Sequence, residues 1–252
     1  MIYLSNINDK ITKEYLNSDS KNPFAVGVKG LLKAYGAYPK LCSFWYQTDN
    51  SNKITAYIVK YGGEYIADIL ENADVNEIID MCRLAGGTAL LCKSIGYGGE
   101  TGVAMKLNRL QTSSTGFELS EAVNLSEYYK ILQSNNSLDF EVPQFEDFYV
   151  DLNHRLRKQA SEIMGAYFNG TLVSCCVVTA TDNNSALLAG VTTLPQYKKQ
   201  GFGTAVVTKI CESLILKGKE NIFLYRDQNK NFSFYNKIGF QDFSKFEQIK
   251  LY

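Results

Sequence analysis

Apolar residues recur along the chain with two periods, and the places where the period changes mark its elements. Ile11 to Leu16 and Val26 to Tyr35 have helical spacing and are separated by Asn22-Pro23. The pattern then shortens. Leu41 to Gln47 and Ile54 to Tyr61 are aromatic and β-branched, and Gly62-Gly63 signals a turn before a further strand, Glu64 to Leu70. Asp74 and Glu77 have the spacing of a capping box ahead of Ile78, Ile79, Met81, Cys82 and Leu84, and Gly86-Gly87 closes that helix. Thr88 to Cys92 and Met105 to Leu110 read as strands. Ser94 to Gly99 lies between them and reads as a loop, because no helical pattern follows its glycines to supply a row of free N–H groups.

Gln111 to Gly116 is small and polar and makes the best linker, so the pattern divides the chain into residues 1–112 and 117–252. The second part opens with Phe117 to Val123 as a strand. Asn124 and Glu127 cap a helix bearing Tyr128, Tyr129, Ile131 and Leu132, and Phe145 to Arg157 forms another after Pro143. Ser161 to Phe168 and Leu172 to Ala180 flank Asn169-Gly170, a strong hairpin signal. Ala186 to Val191 is a short apolar run that suits a buried strand. Beyond Pro195 the period becomes helical through Ala205, Val206, Val207, Ile210, Cys211, Leu214 and Ile215, with Gly218 as a stop, and Ile222 to Tyr225 supplies another strand. Antiparallel strands feeding a strand–helix–strand crossover predict an α/β (α+β) fold, a mixed, mainly antiparallel sheet with helices on both faces.

Composition narrows the partners. The 252 residues carry 26 Lys plus Arg against 26 Asp plus Glu, a net charge of zero, which argues against a nucleic acid or an anionic membrane as the main partner. Residues 1–10 lack the features of a secretory signal, and no apolar run approaches the ~18 residues that span a bilayer, so a soluble cytoplasmic protein is expected. The six cysteines show no C-x-x-C spacing and lie mostly in apolar runs, as buried thiols in a reducing compartment do. With His154 the single histidine, neither a metal site nor a cysteine nucleophile is expected.

The chemistry concentrates between residues 191 and 204. Val191, Thr192 and Thr193 close a strand, Lys198, Lys199 and Gln200 follow, and Gly201, Phe202, Gly203 and Thr204 open a helix. A helix N-terminus presents unpartnered N–H groups and about half a positive charge, and glycine lets a phosphate approach its backbone. Leu194 to Ala205 resembles the pyrophosphate-binding motif of the GNAT superfamily of N-acetyltransferases, with Lys198 where that motif has Gln or Arg. A second segment, Phe234-Tyr235-Asn236-Lys237-Ile238-Gly239-Phe240, is similar to the family's Leu-Tyr-x-Lys-x-Gly-Phe. The resemblance implies the GNAT fold, acetyl-CoA as acyl donor without a metal, and direct attack of an amine on the thioester. It implies Tyr235 as the acid that protonates the departing thiolate, and Gln228, Asn231 or the neighbouring Asn229 as partners of the pantetheine arm.

Many family members use a glutamate on the strands beside the cofactor, yet Leu187 to Thr193 and Ile222 to Leu224 hold no carboxylate. No base is assigned: a water chain, His154, Glu162 and a group from the N-terminal half all stay open. In GNAT folds the first helices and their loop usually line the acceptor pocket, so the resemblance implies that the face of Phe145, Glu146, Asp147, Phe148, Asp151, His154 and Arg155 lines one for a small-molecule or peptide amine. The N-terminal element order matches either a second GNAT-like copy or an unrelated αβ domain. In either case Glu71 to Asp74 is acidic and lacks glycine where the other half has its phosphate loop, so one acetyl-CoA per chain is expected. The expected activity is N-acetylation of a primary amine, with a non-catalytic acyl-CoA-binding sensor as the alternative.

Overall fold

The computed structural model describes residues 1–111, 116–136 and 142–252. In chain order the elements are β1 (Ile2–Ser5), α1 (Lys10–Asn17), α2 (Pro23–Tyr35), β2 (Cys42–Thr48), β3 (Ile54–Tyr61), β4 (Glu64–Ile69), α3 (Val75–Leu84), β5 (Ala89–Lys93) and β6 (Glu100–Leu107). Then come β7 (Glu118–Ser120), α4 (Leu125–Gln133), α5 (Phe145–Arg157), β8 (Glu162–Phe168), β9 (Thr171–Thr181), β10 (Ser185–Thr193), α6 (Phe202–Leu216), β11 (Asn221–Asp227), α7 (Phe232–Ile238) and β12 (Phe240–Lys250). The mixed, mainly antiparallel sheet is as expected. All pairings are antiparallel except β4 with β5 and β10 with β11, the two strand pairs joined by a helical crossover.

The twelve strands form one sheet in the order β1-β2-β3-β4-β5-β12-β6-β11-β10-β9-β8-β7. Its centre is an exchange. β6, from the N-terminal half, pairs with β11, and β12, from the end of the chain, pairs with β5, while β6 and β12 pair with each other. Read outward from that central pair, each side has a strand, a parallel neighbour reached through a helix, and then antiparallel strands. The two halves therefore repeat one topology.

Helix α2 explains how the halves meet. Twelve of its thirteen residues are buried, and it contacts β3 and β4 of its own half as well as β9 and β10 of the other, so the sheet curves around it. An all-round apolar helix such as Phe24-Ala-Val-Gly-Val-Lys-Gly-Leu-Leu is stable only in such surroundings. Gly30 permits the closest approach, since a Cβ there would lie 2.4 Å from that of Ala180. Asn22-Pro23 starts this helix: the Asn22 side chain accepts from the N–H groups of Phe24 and Ala25, and Pro23 takes the first turn, where no N–H is needed.

Several boundaries differ from the sequence pattern. β6 begins at Glu100, five residues before the apolar run, because Glu100 and Thr101 pair with Gln248 and Glu247 of β12, and β11 joins on the other edge from Gly102. β7 keeps only three residues of the expected Phe117–Val123, and β1, too short at four residues to stand out, adds an edge strand. At α3, Asp74 accepts from Glu77 N–H as expected, but the return bond to Asp74 N–H comes from Gln47 Oε1, 3.0 Å away, because the Glu77 carboxylate is drawn to Gln47 Nε2. Residues 112–115 of the expected linker lie outside the described residues.

The loop Ser94–Gly99 has an unexpected occupant. Its N–H groups converge on the carboxylate of Glu247 in β12: Gly98 and Gly99 reach Oε1 at 2.6 Å, while Ile95, Gly96 and Tyr97 reach Oε2 at 3.1 to 3.3 Å. Burial opposes the charge, but the backbone donors win and hold the carboxyl below its ordinary value.

Candidate active site

β10 and β11 pair in parallel only from Ser185 to Leu188 against Asn221 to Leu224. Past that point β10 continues to Thr193 and β11 to Asp227 unpaired with each other, leaving a cleft at their carboxyl ends, the usual ligand position in a sheet with crossover helices. A bulge helps β10 turn away: Gly190 and Val191 face the single residue Cys176 of β9. Gly190 stands at φ 59, a region glycine enters freely, and its carbonyl accepts from Tyr128 Oη at 2.9 Å. Gly190 has no counterpart among the sequence-derived site residues. A glycine inside a strand run was the available signal.

The cleft opens toward the N-terminus of α6. Gly201 is the N-cap at φ 95, no side chain caps the helix, and its first turn holds no acid. Lys198 and Lys199 are exposed beside it, and the Gln200 side chain donates back to Gln196 O. Gly203 faces the end of β10 and α7, where a Cβ would lie 3.3 Å from Thr193 Oγ1 and 3.5 Å from the Phe234 ring. Thr204 is half-buried on the first turn. Phe202 sends its ring into the core, stacked 4.2 Å from Phe117, so it offers the cleft only its backbone. The side chains of Thr192 and Thr193 are engaged by Asn135 and Ser174, and Val191 packs against the core.

The corresponding place in the first half is closed. The N-terminus of α3 is filled by the Asp74 and Gln47 side chains and carries Glu77 in its first turn, so donors and dipole are already satisfied by protein acceptors.

On the other side of the cleft, Arg226 in β11 organises the loop into α7. It is buried, makes two 2.9 Å bonds to Asp242, and donates to the carbonyls of Asp227 and Gln228. Asn231, at φ 63, begins α7; Gln228 is exposed and accepts from Thr101, and Asn229 N–H bonds Asp227. Tyr235 follows on α7 between Phe234 and Phe240, 9% exposed, and burial, with the nearby Cys176 thiol, raises its phenol well above the ordinary value. It therefore carries its proton at neutral pH. β11 also runs to Asp227, past the expected Tyr225, and so ends in a carboxylate.

Two of the open base candidates have other partners. His154 stacks on Tyr35 and bonds Ala34 O at 2.8 Å, joining α5 to the end of α2, and Glu162 pairs with Lys217 at 2.7 Å. All six cysteines are buried and free, with burial pushing Cys42, Cys82 and Cys92 up to about 12. No metal-ligating cluster and no helix long and apolar enough to cross a membrane occurs among the described residues.

A cavity of about 1020 Å³ reaches the β10 bulge from the face opposite α6. It brings together Glu146, Asp147, Phe148, Asp151 and Arg155 of the expected α5 face, with Val177, Thr179, Ala189 and Gly190 along the sheet. Its far wall belongs to the N-terminal half, through Lys40, Leu41, Ser43 and Tyr61.

Residues 125–240 match the sequence profile of the acetyltransferase (GNAT) family. The matched stretch includes both Leu194 to Ala205 and Phe234 to Phe240. Solved structures extend the likeness in fold to the whole chain. A tandem GNAT protein from the clavulanic acid biosynthesis pathway, solved without acetyl-CoA, aligns over 100% of this chain and 98% of its own, with a TM-score of 0.61 at 10% identity. An acetyltransferase of the GNAT family from Colwellia psychrerythraea aligns over 99% of both chains, with a TM-score of 0.58 at 12% identity. A GCN5-related N-acetyltransferase from Kribbella flavida aligns over 78% of this chain and 86% of its own, with a TM-score of 0.56 at 12% identity. None of the curated proteins matches the sequence. The family match over residues 125–240, with the fold, supports an acyl-CoA-dependent acyltransferase.

Proposed function

We propose that the protein transfers an acetyl group from acetyl-CoA to a primary amine bound between its two halves. The observation that carries this is the contrast between the helix N-termini: α6 starts at a glycine with no cap and no acid beside an open cleft, whereas α3 is capped and acidic. The N–H groups of Phe202, Gly203 and Thr204 would hold the pyrophosphate with help from Lys198 and Lys199, and the pantetheine arm would lie between β10 and β11 within reach of Gln228 and Asn231. The neutral amine attacks the thioester carbonyl from the cavity side. The tetrahedral intermediate then collapses, its C–S bond breaks, and the sulfur takes the Tyr235 phenolic proton while the amine nitrogen loses one to solvent, from which the phenolate is reprotonated.

Thiol release over an amine library tests the proposal. Tyr235→Phe should lower turnover at least about tenfold with acetyl-CoA affinity nearly unchanged. An unchanged rate removes Tyr235 as the acid. Tight acetyl-CoA binding with no thiol released for any amine would leave the non-catalytic binding module.

A further inference from the structure

The cavity holds a charged group that the acyl-transfer chemistry leaves unused. Asp151 and Arg155 lie one turn apart on α5 and bond through Asp151 Oδ1 and Arg155 Nε at 2.9 Å. The same Oδ1 accepts from Tyr35 Oη at 2.5 Å and Tyr61 Oη at 2.9 Å, so two tyrosines of the N-terminal half fix a carboxylate of the C-terminal half. Arg155 is further held by stacking over both tyrosine rings and by Nη1 donating at 3.3 Å to the carbonyl of Thr179, the extra residue where β9 slips against β10. This locks the pair without using it up. Among the described residues Asp151 Oδ2 and Arg155 Nη2 have no hydrogen-bond partner, and both side chains line the cavity while keeping some exposure, 32% and 14%.

A fixed carboxylate oxygen beside a fixed guanidinium edge matches a molecule carrying an ammonium next to a carboxylate, the head group of a free amino acid. The position of the pair sets a length. Ala189, at the bulge where the thioester carbonyl would lie, pairs with Val177, and Thr179 is two residues further along β9, roughly 6–7 Å away. The reacting amine and the head group are therefore separated by a short arm. The walls along that path are apolar, formed by Val177, Tyr128, Leu132 and Phe148, and suit methylenes. We propose that the acceptor is a free α,ω-diamino acid of the lysine or ornithine type, held by its zwitterionic head group on Asp151 and Arg155 and acylated on its side-chain amine; this deepens the acyltransferase reading and rests on it.

The test uses the full chain, acetyl-CoA and four kinds of acceptor: free L-lysine and L-ornithine, lysine amide acetylated at its α-amine, cadaverine, and norleucine. Thiol release and the mass of fragmented products are followed. Free lysine or ornithine should be acylated on the side-chain nitrogen with kcat/KM about a hundredfold above the blocked amide and cadaverine, since the amide presents neither head-group charge to the pair and cadaverine lacks the carboxylate. Asp151→Asn and Arg155→Lys should each raise KM for the free diamino acid at least about tenfold, and by more than they raise it for cadaverine. Equal use of cadaverine or of the blocked amide overturns the head-group site while acyl transfer stands, as does acylation of norleucine. Thiol release with none of these, but with some other amine, also overturns it. Release with no amine at all ends the acyltransferase reading itself. The acceptor comparison is made on the unaltered protein, so it holds even if the variants fold poorly.

Discussion

Glu247→Gln isolates one carboxylate that ties the end of the chain to its first half. Five N–H groups of the Ser94–Gly99 loop converge on the two oxygens of a side chain that is only 1% exposed. The amide keeps the shape but replaces one acceptor oxygen with an NH₂ group, which leaves two or three of those N–H groups facing a donor. Unsatisfied or weakened bonds of this kind cost about 1–3 kcal/mol each before relaxation, so a net loss of about 3 kcal/mol is expected. For a chain of this size that corresponds to a fall in Tm of about 6–12 °C. The pH dependence separates charge from shape. The folded carboxyl lies below its ordinary value, so its contribution is complete above the unfolded pKa of about 4.3 and is lost as pH falls through the folded value. Urea unfolding of both proteins from pH 7 to pH 3 should show a gap that is widest near neutrality and narrows in acid. Asp68, which burial shifts upward, acts with the opposite sign, but it is common to both proteins and cancels in the difference. A gap under about 0.5 kcal/mol at pH 7, or one that stays constant into acid, would refute the charge-based account.

Three further outcomes follow from the cleft. Acetyl-CoA titrated by calorimetry should saturate at one per chain, and two equivalent sites would contradict the capped state of α3. Gly201→Ala should destabilise the fold by about 1–2 kcal/mol, because φ 95 suits glycine, and should also weaken acetyl-CoA binding; unchanged affinity would place the pyrophosphate elsewhere. Arg226→Ala should lower turnover more than it lowers acetyl-CoA affinity, by releasing the loop that leads to Tyr235, and a rate equal to the unaltered protein's would show that the loop needs no anchor.

Local patterns in the sequence carried the elements and the donor motif, because these depend on neighbours in the chain. α5 was legible to the residue from its flanking proline and apolar spacing, and the hairpin at Asn169-Gly170 from its turn chemistry, with both residues at positive φ. Gly201 was legible because a helix start and its glycine lie side by side. What escaped depends on distant partners. Arg226 reads as a charge in a strand, and only the fold sets Asp242 against it. Gln47 reads as a strand residue, yet it completes the α3 cap across 27 positions. The cavity is the clearest case, since Tyr61 and Asp151 meet only when the halves close around α2.

The exchange of β6 and β12 bears on how the protein is made. On the ribosome the whole first half emerges before β12 exists, so β5 must wait with a bare edge until Phe240–Lys250 leave the exit tunnel. β6 meanwhile waits for β11, more than a hundred residues behind it. Neither half has a finished sheet to fold into by itself, and the nascent chain remains vulnerable to edge-to-edge association until β12 is made. Such long-range pairing makes for slow folding, and it makes β12 a checkpoint: a chain cut short before Phe240 leaves β5 with a bare edge and β6 without one of its two neighbours.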